Sequence, residues 1–174
     1  MRNTKGFTLI EMIMVITLLG IVAAIIAIPL LQGARGWFDA TTREGITQSG
    51  RIGIERMTRE IRNTARTAAN NPCILSAAVN SISFSTVSDC SSPITFSLSG
   101  TNIQRVNGGT FNLADNVTSI DINYYNSSNG VIARPAIAGD LPTIRRISIE
   151  IVSTKGSETL RKYSEVYLSN MRGY

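Results

Sequence analysis

The sequence predicts an α+β chain: one long N-terminal helix, apolar enough in its first half to span a membrane, packed on an antiparallel β-sheet head. Three observations predict it. Residues 7–31 are almost wholly apolar and carry a single charge, Glu11, where a bilayer-spanning helix needs roughly 20 apolar residues. Apolar residues then recur at helical spacing as far as Ala68. Beyond residue 69 the period switches from helical to two.

The leader, residues 1–6, comes first. Arg2 and Lys5 precede the apolar run, and no acid lies before Glu11. Positive charge on this side keeps the N-terminus cytoplasmic and sends the rest of the chain across. Taken alone, the leader looks like the basic region of a secretory signal. An ordinary signal does not carry a glutamate inside its apolar core, and Ala23-Ala24 and Gly33-Ala34 are weak cleavage candidates after it. A charge inside such a run costs about 2.5–3.5 kcal/mol on insertion scales and marks a functional site by default. The plainer alternative is that Glu11, one turn inside, reaches back to the lipid headgroups.

The helix is expected to continue well past the membrane. Ile54, Met57, Ile61, Ala65 and Ala68 follow at spacings of three and four, and Ile46 lies earlier on nearly the same face. Arg59, Arg62 and Arg66 take another face, and Asp39 with Arg43 and Glu55 with Arg59 are favourable i,i+4 pairs. A helix over residues 7–66 would be about 90 Å long at 1.5 Å per residue. Pro29 removes one helix hydrogen bond. Gly33, Gly36, Gly45, Gly50 and Gly53 each cost about 1 kcal/mol of helix propensity relative to Ala. Bending or softness over residues 27–53 is therefore expected, serving either deformability or close packing against neighbours. Trp37 and Phe38 suit the far membrane interface or, alternatively, the head core.

Asn70-Asn71-Pro72 ends the helical pattern. Ile82 and Phe84, then Ile94, Phe96 and Leu98, then Ile120, Ile122 and Tyr124, then Ile147, Ile149 and Ile151 alternate as strands. Gly100, Gly108-Gly109, Ser127-Ser128-Asn129-Gly130 and Lys155-Gly156 punctuate them as turns. Residues 146–153 and 160–168 read as a hairpin. The expected organisation is a leader (1–6), a transmembrane helix (7–31), a continuing helix packed on the head (32–68) and a β-rich head (69–174).

Composition narrows the function. The chain has no histidine, which removes Ser-His-Asp and Cys-His catalysis, histidine metal sites and histidine pH sensing. The net charge is +5, of which Arg2 and Lys5 supply two, and the mildly basic remainder says little about nucleic acid. Cys73 and Cys90 both lie beyond the apolar run. In an exported head an even count suggests a disulfide, closing a loop of about 18 residues worth roughly 3 kcal/mol in the chain-entropy model. In a reducing compartment they would be two free thiols.

Gly6-Phe7-Thr8-Leu9-Ile10-Glu11, behind a short basic leader and ahead of an apolar helix, resembles the class III signal of type IV pilins and type II secretion pseudopilins. Gly20 and Pro29 stand roughly where family helices carry a Gly and a Pro. The resemblance is strong over residues 5–31 and architectural over the remainder, where a long helix under an antiparallel sheet is the pilin layout. It implies cleavage between Gly6 and Phe7 by a membrane aspartyl prepilin peptidase, and N-methylation of the new Phe7 amine by the same peptidase/N-methyltransferase. A residue without a side chain at position 6 lets the backbone enter a protease cleft. It implies that Glu11 pairs with the N-terminal amine of a neighbouring subunit during filament growth. Some tip-most family members lack this acid; this chain has it. The implied partners are other pilin or pseudopilin subunits, the inner-membrane assembly platform and the lipid bilayer. The implied location is a single pass of the inner membrane with a periplasmic head, then a pilus or pseudopilus filament. A second resemblance concerns the kind of subunit. Ile54-Glu55-Arg56-Met57-Thr58-Arg59-Glu60-Ile61-Arg62, with Leu141-Pro142 leading into Arg145-Arg146-Ile147-Ser148-Ile149-Glu150-Ile151, is similar to minor pseudopilins of the J type and related W-type minor pilins. Such subunits sit in a tip complex that primes assembly.

No catalytic, cofactor or metal residues are expected. The chain has no phosphate-cradling Gly loop followed by Lys and Ser or Thr. Asp115, Asp121 and Asp140 are scattered without EF-hand spacing. Arg51, Arg56, Arg59, Arg62 and Arg66 could contact DNA phosphates, as some minor pilins do in DNA uptake, but a solvated face is the commoner meaning of such a cluster. DNA is not the expected partner. Two alternatives to a structural subunit stand beside it. One is a filament-displayed binding module, an adhesin or DNA-uptake subunit. The other is a signal-anchored periplasmic enzyme, which the missing histidine argues against.

Overall fold

The computed structural model describes residues 6–168; leader residues 1–5, with Arg2 and Lys5, and the end of the head, 169–174, lie outside the described residues. The chain divides into two compact units, Met1–Thr41 and Thr42–Tyr174. A single helix, α1 (Leu9–Arg62), contributes to both.

In the first unit every described residue is exposed. None of its apolar side chains is buried. Thr17, a polar residue inside the run, donates its hydroxyl to the Ile13 and Met14 carbonyls at 2.9 Å each, the usual way a threonine hides its polarity on a helix. The helical assignment runs through Pro29, Gly33 and Gly36. Trp37 and Phe38 meet edge to face with ring centroids 5.5 Å apart and are both exposed.

The second unit is built on the later part of α1 and nine strands. They are β1 (Ile74–Ala77), β2 (Ser81–Ser85), β3 (Pro93–Ser99), β4 (Asn102–Val106), β5 (Thr110–Ala114), β6 (Val117–Tyr125), β7 (Val131–Ile132), β8 (Arg146–Lys155) and β9 (Glu158–Tyr167). The expected head sheet is in fact two antiparallel sheets. One is a meander in chain order, β1-β2-β3-β4-β5, and the other runs β7-β6-β8-β9. Backbone bonds stitch them: Ile122 N–H donates to the Val79 carbonyl at 2.8 Å and Val117 N–H to that of Thr101 at 2.9 Å. The alternation seen in the sequence is the inward row of each strand. Ile82, Phe84, Phe96, Ile122, Tyr124, Ile147 and Ile149 are all fully buried. Tyr124 carries its hydroxyl into this core and donates it to the carbonyls of Ala78 and Ser81 at 2.9 and 3.1 Å, the kind of partner a buried phenol needs. The last hairpin closes on Gly156 at φ +62° in a two-residue loop, the first-position glycine that a type II′ turn asks for.

α1 enters this core with Ile46, Ile54, Met57 and Ile61, as their spacing predicts. The same face was expected to continue to Ala65 and Ala68. The helix instead ends at Arg62. Ala65 N–H is taken by the Ser85 carbonyl at 2.9 Å, and the Ala65 carbonyl takes Cys73 N–H at 2.9 Å. The chain there trades helix bonds for a place beside β2, so Asn70-Asn71-Pro72 closes a loop, not the helix. Gly53 sits where α1 comes closest to the sheet: a Cβ there would lie 2.9 Å from that of Ala114. Close packing therefore explains Gly53, whereas a Cβ at Gly33, Gly36 or Gly45 would meet nothing within 4 Å.

The ion pairs are not the two expected, although i,i+4 spacing recurs. Arg43 makes a two-pronged contact with Glu158 of β9 at 2.8 and 3.0 Å, in place of Asp39. Glu55 pairs with Arg51 at 2.7 Å in place of Arg59. Glu60 bridges Arg56 at 3.0 Å and Arg105 of β4 at 2.8 Å. The helix charges answer to the sheet as well as to each other. Cys73 and Cys90 form a disulfide with Cα atoms 5.5 Å apart, fastening the β2–β3 loop to the segment that leads into β1.

Candidate functional site

The segment that carries the sequence signal lies in the first unit. Gly6, Phe7 and Thr8 precede α1 in irregular, exposed chain. Among the described residues a Cβ at Gly6 would have nothing within 4 Å, and Gly6 and Phe7 on either side of the peptide bond are both exposed. Thr8 stands just before the helix. Its hydroxyl accepts the Glu11 N–H at 3.4 Å, and its carbonyl accepts the Met12 N–H at 3.3 Å. This is one arm of a capping box, the S/T-x-x-E pattern in which a hydroxyl satisfies a donor the helix start leaves over. Thr8 was not among the residues expected to matter, although Thr8-Leu9-Ile10-Glu11 spells the pattern out.

The cap fixes where the helix begins, and so where Glu11 stands: in the first turn of α1. A carboxylate there is favoured by the positive end of the helix dipole, by about 0.3–1 kcal/mol in an exposed setting. Around it Leu9, Ile10, Met12, Ile13, Met14 and Val15 are exposed. Glu11 is thus a lone charge on an otherwise apolar surface.

The other residues singled out in the sequence are elsewhere. Asp115 takes a hydrogen bond from Ser49, and Asp121 pairs with Arg134. Among the described residues no group of three or more His, Cys, Asp and Glu side chains gathers. Arg51, Arg59 and Arg62 come together with Lys162 along an open groove of the second unit. Arg56 turns to Glu60, and Arg66 to Asn70 at 2.7 Å.

An apolar helix long enough to cross a membrane, joined to antiparallel β-sheets, is a pilin-like α+β architecture. Residues 1–27 match the prokaryotic N-terminal methylation motif. That match supports membership of the type IV pilin and pseudopilin family, whose precursors are processed at this signal and whose members are generally structural. It implies a prepilin peptidase and other pilins as partners, and it is consistent with membrane anchoring followed by a filament. No curated protein matches the chain.

Proposed function

We propose that this chain is a minor structural subunit of a type IV pilus or type II secretion pseudopilus, cut between Gly6 and Phe7, N-methylated at Phe7 and assembled through Glu11. The observation that carries the proposal is an exposed Gly6–Phe7 junction directly ahead of a capped helix whose first turn holds the only charge of an apolar surface. Cleavage there would create an ammonium at Phe7, four positions before Glu11. In a low-dielectric setting two such charges attract strongly, and either one alone is costly. Their pairing between subunits acts as a register: a subunit docked out of step leaves both charges unpaired. The similarity of residues 54–62, 141–142 and 145–151 to J-type and W-type subunits supports the minor role.

The basic leader supports a cytoplasmic N-terminus, an inner-membrane span over residues 7–31 and a periplasmic head. The disulfide fits that oxidising side. The test is a Glu11→Ala variant expressed in the native host. It should still lose its leader, yet enter filaments poorly, as read by immunoblot of sheared filaments against the membrane pool. Normal incorporation would remove Glu11 from assembly. A Gly6→Leu variant should instead accumulate uncut.

A further inference from the structure

The second unit has an open groove of about 530 Å³ between the last turns of α1 and strand β9. Its position is informative. Lys162, Tyr163 and Ser164 line it together, and three consecutive strand residues point to both faces of a sheet. The groove therefore runs along the edge of β9. That edge is open: β9 ends the β7-β6-β8-β9 sheet and pairs only with β8 among the described residues. Its two-residue turn fixes the alternation. Lys155 and Glu158 flank the turn as a hydrogen-bonded pair. The backbone groups of Thr159, Arg161, Tyr163, Glu165 and Tyr167 then face away from β8.

The opposite wall is charged. Arg51, Arg59 and Arg62 of α1 line it, with Lys162 on the β9 side, and its single acid, Glu55, is held by Arg51 at 2.7 Å. Glu165, the acid nearest on β9, is engaged by Arg146 at 2.7 Å and by the Tyr163 hydroxyl. A Thr58–Ser164 hydrogen bond of 3.1 Å ties the two walls together at the base.

We propose that this groove docks an extended acidic peptide segment of a partner protein, which adds a strand to β9 and sets carboxylates against the arginines of α1. Strand addition uses the backbone for affinity and alternate side chains for selection. The spacing suits it. Arg51 and Arg59 are eight positions apart, about 12 Å along a helix. Acids on alternate residues of a strand recur about every 6.8 Å, so two intervals cover that distance. The partner is not a second copy of this chain. No two of its acidic residues are closer than five positions in sequence, so none of its strands carries acids on alternate residues.

The test uses the full chain in detergent micelles and a fluorescein-labelled (Glu-Thr)4 peptide, read by anisotropy at about 50 mM salt, where screening is weak. A (Glu-Thr)4 peptide methylated at every backbone nitrogen has equal charge but cannot donate ladder hydrogen bonds. It should bind about ten-fold or more weaker than (Glu-Thr)4. Arg59→Glu, and separately Lys162→Glu, should each weaken (Glu-Thr)4 by about ten-fold or more, the worth of one charged hydrogen bond. Bound (Glu-Thr)4 should slow hydrogen exchange at the Arg161 and Tyr163 amides. Equal binding of the two peptides, an eight-nucleotide oligo-dT bound more tightly than either, unchanged affinity in both variants, or no binding at all would overturn the proposal.

Discussion

In Met1–Thr41, Ile16, Ile21 and Ile28 are 64%, 62% and 63% exposed, whereas in Thr42–Tyr174, Ile82, Ile122 and Ile149 are fully buried. The residue type is the same and the physics is the same, but the source of the covering atoms differs. The second unit supplies its own cover: α1 and two sheets close on one core that includes Met57, Phe84 and Tyr124. The first unit supplies none, and an unbroken apolar surface of that size is not a soluble surface. Its sequence answers to an outside medium, which in the proposed function is lipid first and neighbouring helices later. The polar devices divide the same way. The second unit uses its charges in bridges such as Glu60 with Arg105, while the apolar run of the first, residues 7–31, keeps one carboxylate, Glu11, beside a helix cap.

The comparison is sharpest where one substitution is made in both regions. Ile149→Ala should destabilise the chain by about 2–5 kcal/mol, through lost burial and a cavity. Ile16→Ala should stay within about 0.5 kcal/mol. Urea titrations in detergent, followed by the circular dichroism of the sheets, would separate them; equal losses would break the contrast. Reducing the Cys73–Cys90 disulfide should cost about 3 kcal/mol in the same titration, leaving the helix content of the first unit unchanged.

Glycines give a smaller and opposite-signed pair. Gly53→Ala should cost about 1–3 kcal/mol, because the new methyl meets Ala114. Gly33→Ala, in open space, should raise helix stability by up to about 1 kcal/mol, visible as a higher melting point of the helical signal. The last effect is a pH slope, confined to alkaline solution. Burial pushes the Tyr124 hydroxyl well above its ordinary value of 10.0. The folded chain therefore holds this proton where the unfolded chain has released it. The stabilisation is complete below pH 10 and is lost as pH rises beyond it, by about 1.4 kcal/mol per unit. Tyr124→Phe, which cannot ionise, should show a flatter decline between pH 10 and 11.

Legibility in the sequence followed how strongly one face of an element is buried. The inward rows of β2, β3, β6 and β8 showed as alternating apolar residues because those strands have a clear buried face. β4 and β5 did not, since each has one fully buried residue, Ile103 and Ala114. β1 hid behind a bulge between Ile74 and Ser76 that breaks its period of two, and β7 is two residues long. A second sheet could not be read from strands that all look alike in sequence. The helix end was misplaced because Ala65 and Ala68 keep the helical spacing while long-range bonds from Ser85 and Cys73 decide the backbone. Of the candidate site, Gly6, Phe7 and Glu11 were legible as a motif. The Thr8 cap that positions Glu11 was legible too, in its spacing to the acid. The groove beside β9 was not, because Arg59 and Lys162 are a hundred positions apart and only the fold brings them to one edge.

The central claim is that an exposed bond before a capped, apolar helix is a processing site, and that the helix is kept after the cut. Intact mass and N-terminal fragment spectra of the protein from its native envelope test this most directly. The account predicts a chain that begins at Phe7, carries one added methyl on its amine, and retains residues 7–31. A chain still beginning at Met1, or one beginning beyond the apolar run, would contradict it.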